Sequence, residues 1–374
     1  MERTVSTPTA VPPTGRPAAA GAVPSQGHAP SPADAPARLA LRRARTLVEP
    51  ALLDWVDRLP GELRRIARYH FGWNDAAGAP DQGLVGKVLR PALVLSAAEA
   101  CGGRPEESLP PAVAVELVHN FSLLHDDILD GDTTRRHRAT AWTVFGSPGA
   151  LLTGDALLSH AFRVLADDGS PRAAAAVRAL SDATTLLVEG EHTDVGFESR
   201  EAVPLQACLA MSERKTAELM ACSCELGAVW AGAAPERVAA LRRFGHHLGL
   251  GFQIADDLLG IWGDPALTGK PAGADLAARK KSLPVAAALA ADGAAARRLA
   301  ALYRPVDPDG PPEGPERIAE LAELVERAGG RGWAERAADE HADRAAAALA
   351  ESGAAGASAE ALAGLAALAC RRDT

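Results

Sequence analysis

Apolar residues recur every three or four positions along most of this chain, beginning just after Arg38. Leu39, Leu41, Val48, Leu52, Leu53 and Val56 open the pattern, the spacing of an amphipathic helix, with Pro50 predicting a break inside it. The same spacing predicts helices over 61–71, 89–100, 112–130, 150–165, 172–188, 205–228 and 235–261. Alanine-rich helices are expected over 283–291, 295–303, 315–328 and 333–349, with Pro and Gly in the gaps, as at Gly310-Pro311-Pro312 and from Gly353 to Gly356. No stretch alternates in the manner of a half-buried strand. The pattern predicts an all-α fold, one large helical domain over 37–374.

Residues 1–36 are a different material. Pro8, Pro12, Pro13, Pro17, Pro24, Pro30, Pro32 and Pro36 are interleaved with Ala, Ser, Thr and Gly. Such a segment cannot bury enough apolar surface to offset the entropy of ordering it, so a disordered tail is expected. It is either dispensable or a docking and sorting segment.

Composition narrows the function classes. The 374 residues are 47% hydrophobic and carry a net charge of -9 without a long basic run, which gives no basis for nucleic-acid binding. No run of about 18 apolar residues occurs, so no membrane span is expected, and the N-terminus lacks the apolar core of a secretory signal. The five cysteines are scattered. Cys222 and Cys224 are two apart and on a helix would point to nearly opposite sides, so they read as reduced, mostly buried thiols of a cytoplasmic protein.

The chemistry concentrates in Phe121-Ser-Leu-Leu-His-Asp-Asp-Ile-Leu-Asp130. On a helix, Asp126, Asp127 and Asp130 fall within an arc of about 100° and can face one point. Like charges that close repel, and burial raises their pKa values further, so the cluster calls for a cation. Oxygen-only ligands suit a hard ion such as Mg²⁺, which completes its shell with water and substrate phosphates. A second acidic pair, Asp256 and Asp257, sits among Phe252, Ile254, Leu258, Leu259 and Ile261, an unsuitable neighbourhood for an exposed face. Cations surround both: Lys87 and Arg90 at a helix start, Arg135 and Arg136 after the first cluster, Lys215 inside an apolar helix, then Lys270 and Lys280. Two carboxylate clusters with several cationic sites suggest metal-bridged diphosphates.

In order, the pieces are Gly86-Lys-Val-Leu-Arg-Pro, Glu116-Leu-Val-His119, Leu124-His-Asp-Asp-Ile-Leu-Asp130, Arg135-Arg136, Gly154-Asp155, Gly190-Glu-His-Thr-Asp194, Lys215-Thr216, Phe252-Gln253-Ile-Ala-Asp-Asp257, Gly269-Lys270 and Lys280-Lys-Ser-Leu-Pro284. From about Gly86 to Pro284 the chain resembles the trans-isoprenyl diphosphate synthases, or polyprenyl synthetases. The ordered set is far more specific than one Asp-Asp-x-x-Asp. The resemblance implies a helical bundle with a central active-site cavity. It implies Mg²⁺ held by Asp126, Asp127 and Asp130 and, from a facing helix, by Asp256 and Asp257. Arg135, Lys215, Lys270 and Lys280 would bind the allylic diphosphate, and Lys87, Arg90, His119 and Arg136 isopentenyl diphosphate. Thr216 and Gln253 would line the reacting carbons and stabilise positive charge, and with Lys215 they make up the catalytic set. A homodimer is implied too. Two positions depart from the family pattern: Gly260 stands where the second motif usually ends in Asp, and His137 where Gly usually follows the arginines.

The reaction implied is head-to-tail condensation of isopentenyl diphosphate with an allylic diphosphate. Phe121, five positions before the first Asp, with Ser122 beside it and no insertion in the motif, points by the same resemblance to geranylgeranyl diphosphate, with farnesyl diphosphate next. Among the rivals, a class I terpene cyclase would need an Asn/Ser/Glu triad on the later helix, and the only Asn residues, Asn74 and Asn120, lie upstream. A non-catalytic partner subunit would show degenerate motifs, and Gly260 is the one such sign. The Pro/Ala-rich tail is similar to those of prenyl synthases that are cargo of encapsulin-type shells, which makes such a shell a candidate partner.

Overall fold

The computed structural model describes residues 34–81, 86, 88–136, 138–265, 272–303 and 314–371, all within the unit Ala33–Thr374. Lys87, His137, Gly269, Lys270 and residues 1–33 lie outside the described residues. The chain is all-α, as the apolar spacing predicts.

Helix α1 (Ala35–Asp57) runs unbroken through Pro50, so the expected break does not occur. Proline removes one N–H bond and crowds the carbonyl four residues earlier. Ala44, Val48, Leu52 and Val56, fully or almost fully buried on either side of it, outweigh that local cost. Helices α2 (Gly61–Phe71), α3 (Leu89–Ala100) and α4 (Leu109–Leu129) follow. Residues 91–98 of α3 and 111–118 of α4 are all buried, so over these turns the helices are enclosed on every side and stand inside the bundle. A two-residue hairpin, β1 (Thr134–Arg135) with β2 (Arg138–Ala139), pairs Arg135 with Arg138 and is too short to leave an alternating pattern in the sequence.

After the short α5 (Ala141–Phe145) come α6 (Ser147–Asp167) and α7 (Ala173–Glu198). Helix α7 runs well past its expected end at 188, and Gly190 within it packs against the segment that carries Lys215. The helix expected over 205–228 divides into α8 (Leu205–Ser212) and α9 (Glu218–Trp230), joined by a π-helical turn, Glu213–Ala217. Single π turns inside helices occur often at functional sites. Helix α10 (Pro235–Trp262) is followed by α11 (Ala274–Ala277), α12 (Leu283–Ala290), α13 (Ala294–Leu302), α14 (Pro315–Arg327), α15 (Gly330–Glu351) and α16 (Gly356–Arg371). The last of these was not expected, its Gly and Ala content giving little pattern.

The most extensive helix pairs are α10 with α15, α4 with α6, α9 with α10 and α3 with α9. The main core joins Leu93, Leu117, Leu124, Leu157 and Phe244. A smaller core of Ile261, Leu276, Val285, Leu299, Tyr303 and Leu321 fixes the segment around Lys280.

Candidate active site

The end of α4 carries the first acidic cluster. Its last turns bury Phe121, Ser122 and Leu124, leave Asp126 half-buried, enclose Asp127 and expose Asp130, the C-cap. Asp127 is 1% exposed, and its Oδ1 accepts a 2.6 Å bond from Arg135 Nε. Its Oδ2 is buried with no partner among the described residues. Desolvation raises the pKa of all three carboxyls. Asp126 is pushed well above the usual carboxylate range, Glu191 adding to the burial effect, and Lys215 pulls the other way on Asp126 and Asp130.

The π turn between α8 and α9 aims Lys215 at this cluster. Its ammonium lies 2.7 Å from Glu191 Oε2 and 2.7 Å from Asp194 Oδ2, both on α7. Burial alone would favour the neutral amine, but Asp194, Asp126 and Glu191 outweigh it and raise the pKa, so Lys215 stays charged. Gly190 permits the approach: a Cβ there would stand 2.8 Å from Lys215 Cα and 3.0 Å from the Arg214 carbonyl carbon.

Helix α10 supplies the second acidic group. Thr216 Oγ1 donates to Gln253 Oε1 at 2.7 Å, and Gln253 Nε2 donates to Asp257 Oδ1 at 2.8 Å. The other Asp257 oxygen accepts the Leu283 backbone N–H at 2.8 Å, tying α10 to the start of α12. Burial pushes the Asp257 carboxyl up to about 7, against the pull of Lys280 and these donors. Asp256, next to it, is half-buried. Lys280 is held charged against desolvation by Asp275, Asp257, Asp194 and Asp256, and it also lowers Asp130 on α4. The two acidic groups thus share a cation.

A cation-rich region adjoins the first cluster. His119, on α4, is driven well below the usual histidine range by burial and by Arg90, Arg136 and Arg135. Glu116, one turn earlier and 3% exposed, balances them. Burial raises its carboxyl while Arg90 and Arg136 lower it, and Asn120 Nδ2 donates to its Oε1 at 3.2 Å. His70 of α2 joins the group, pushed down to about 3 by burial and by Arg135 and Arg136. Among the described residues, the non-glycine residues with positive φ are Val88, Arg136 and Arg279. Each is within two positions of an expected diphosphate-binding cation, and a non-glycine residue in that region costs about 1–3 kcal/mol. The strain is concentrated at this site.

Phe121 lies one turn before Asp126, 5% exposed, with the His125 ring edge-on at 4.7 Å between centroids. His125 Nε2 is 3.0 Å from the Leu151 carbonyl, so His125 is engaged with α6. Ser122 Oγ donates back to His119 O at 2.9 Å.

The structure therefore brings together Asp126, Asp127, Asp130, Arg135, Lys215, Lys280, Asp256 and Asp257, links Thr216 to Gln253, and groups Arg90, His119 and Arg136. Three contributors escaped the sequence reading: His70, Glu116 as a counter-charge, and Glu191 as the second partner of Lys215. Glu116 and Glu191 lie inside quoted motifs. His70 sits on an amphipathic helix with no local signal.

No three His, Cys, Asp or Glu side chains form a closed metal cage among the described residues. The donor set fits an open site instead. Carboxylates that raise one another's pKa are relieved by a hard cation, which needs only one or two of them plus water and phosphate oxygens.

Fold and site together define an all-α enzyme whose carboxylate-rich, cation-lined centre handles diphosphates. The family model described as polyprenyl synthetase matches residues 81–320, and the chain belongs to that family. It is 50% identical over 299 residues to a (2E,6E)-farnesyl diphosphate synthase of Mycobacterium tuberculosis, covering 80% of this chain and 83% of the relative. It is 45% identical over 301 residues to a geranylgeranyl diphosphate synthase of the same organism, covering 80% and 85%. A crystal structure of a polyprenyl synthetase from Streptomyces coelicolor A3(2) superposes with a TM-score of 0.85 at 45% identity, over 89% of this chain and 99% of that one. A polyprenyl synthase from Caulobacter crescentus CB15, solved with calcium and isoprenyl diphosphate, superposes with a TM-score of 0.76 at 30% identity, over 94% and 100%. The chain is a prenyltransferase of a family that uses a divalent metal. No helix among the described residues is long and apolar enough to cross a membrane.

Proposed function

We propose that this enzyme condenses isopentenyl diphosphate with an allylic diphosphate, with Mg²⁺ as the metal and geranylgeranyl diphosphate as the product. The carrying observation for the product is Phe121, buried one turn below Asp126 where the growing tail must run. Asp126, Asp130 and Asp256 would hold the metals, while Asp127 and Asp257, bonded to Arg135 and to Gln253 and Leu283, would add charge from behind. The metal supplies charge neutralisation to the leaving diphosphate.

The rest falls to the protein. Lys215, Lys280, Arg135 and Lys270 hold the allylic phosphate oxygens and stabilise the charge that develops as the C–O bond breaks. Lys87, Arg90, His119 and Arg136 orient isopentenyl diphosphate so that its double bond meets the allylic carbon. The Thr216 hydroxyl and Gln253 amide present dipoles to the cationic carbons. Apolar walls exclude water, and the departing diphosphate takes the final proton. A homodimer, cytoplasmic location and docking of the 1–36 tail to an encapsulin-type shell complete the proposal.

Farnesyl diphosphate is the second reading, favoured by the 50% identical relative bearing that name. Purified full-length protein, Mg²⁺, isopentenyl diphosphate and dimethylallyl, geranyl or farnesyl diphosphate decide, with products read by mass spectrometry. A C20 product supports the first reading, and a stop at C15 supports the second. Hydrocarbon formed from geranylgeranyl diphosphate alone would indicate a cyclase, and no product under any condition a non-catalytic subunit.

A further inference from the structure

The second acidic group contains two carboxylates on α10 and then Gly260, one turn past Asp256 and Asp257. That gap is filled in space. A Cβ placed on Gly260 would lie 2.5 Å from Asp275 Cγ and 2.9 Å from Asp275 Oδ1. The carboxylate of Asp275, carried by α11, therefore lies where a side chain at position 260 would begin.

We propose that Asp275 supplies, from α11, the third carboxylate of the second acidic group, in the space that Gly260 leaves open. Asp275 acts as a positioning residue through Lys280. Three contacts hold the arrangement. The Lys280 backbone N–H donates to Asp275 O at 2.9 Å, closing the turn that leads from α11 to Lys280. Tyr303 Oη donates to Lys280 O at 2.6 Å, and Tyr303 and Leu276 are each at most 1% exposed, so the turn is anchored in the smaller core. Asp275 is also the leading charge partner of Lys280, ahead of Asp257, Asp194 and Asp256. With its charge beside α10, Lys280 is kept between the two acidic groups. On this reading Gly260 is matched by Asp275 and is not simply a loss: an aspartate at 260 would compete with the Asp275 carboxylate for the same space.

The inference rests on the proposed metal–diphosphate site, and an exchange of the two residues tests it. Mn²⁺ binding in the presence of inorganic diphosphate is followed by the loss of the free-ion EPR signal, alongside kcat/KM for the condensation. Asp275→Ala is expected to weaken Mn²⁺–diphosphate binding by about 10–100-fold, the usual effect of losing a supporting group around a metal site. Gly260→Asp alone is expected to impair both readouts. Gly260→Asp combined with Asp275→Ala is expected to recover at least tenfold over Asp275→Ala alone in both, which a merely structural role for Asp275 would not produce. Unchanged binding in Asp275→Ala, or an exchange variant no better than it, overturns the inference. A wild-type protein that neither binds Mn²⁺–diphosphate nor turns over fails the functional reading itself, which separates the two.

Discussion

At the scale of single residues, neighbouring aspartates divide the work by burial. Asp126 and Asp127 are adjacent, but Asp127 is enclosed and bonded to Arg135 while Asp126 stays half-open among Glu191 and Lys215. Asp257→Asn should illustrate the same division. Both Asp257 oxygens accept N–H donors, so an amide there leaves one donor facing another, and losing that bond costs about 1–3 kcal/mol. The prediction is a lower denaturation midpoint as well as lower turnover. Phe121→Ala should lengthen the product, and an unchanged product in a radiolabelled chain-length assay would sink the assignment of Phe121 as the floor. The spacing of Asp126, Asp127 and Asp130 was legible in the sequence. Which of them is buried was not, because that depends on Arg135 returning from the hairpin.

Among the elements, the π turn decides most. Read as sequence, 205–228 is one apolar helix with an awkward lysine inside it. The extra residue in the turn brings Lys215 to Glu191 and Asp194 and Thr216 to Gln253. Helix periodicity cannot show this, since one widened turn hardly disturbs the spacing. Gly190 lies two residues past the expected helix end at 188 but inside α7, and only the path of the π turn reveals it as a site of close approach. Gly190→Ala should therefore push α7 off Lys215. Overpacking of this kind costs about 1–3 kcal/mol, and a displacement near 1 Å can cost about 100-fold in rate. Steady-state kinetics with a melting curve would separate the two effects, a large fall in kcat/KM with a modest change in midpoint being the expected outcome.

For the molecule as a whole, pH and the tail give the tests. His341 on α15 faces His247 on α10 at 3.2 Å between Nδ1 atoms, across the most extensive helix pair. Burial, with His247, Arg344 and His246, pushes His341 down to about 4, and burial with His246, Arg344 and Arg243 lowers His247. A histidine with a depressed folded pKa binds its proton more readily when unfolded. Stability should accordingly be highest above about pH 6.5, the unfolded histidine pKa, and fall as pH drops toward 4. Urea unfolding of wild type and His341→Gln at pH 7.5 and 5 should show a smaller decline in the variant. Deleting residues 1–33, the part of the expected tail that precedes α1 and its N-cap Asp34, should leave kcat/KM within about twofold, as expected of a Pro/Ala-rich tail; loss of turnover would mean that the tail serves the catalytic domain.

What the sequence determined by itself is the material of this enzyme: the helical class, the family, and the types and order of acidic and basic groups, because helix periodicity and motif spacing are local and survive in one dimension. What only the tertiary structure decided is how those groups meet. The π turn aims Lys215, Asp127 and Asp257 turn inward while Asp126 and Asp130 turn out, and Asp275 reaches Gly260 from another helix. Each of these depends on contacts between segments far apart in the chain, and side-chain electrostatics at a few ångströms depend on distance, which sequence spacing does not carry.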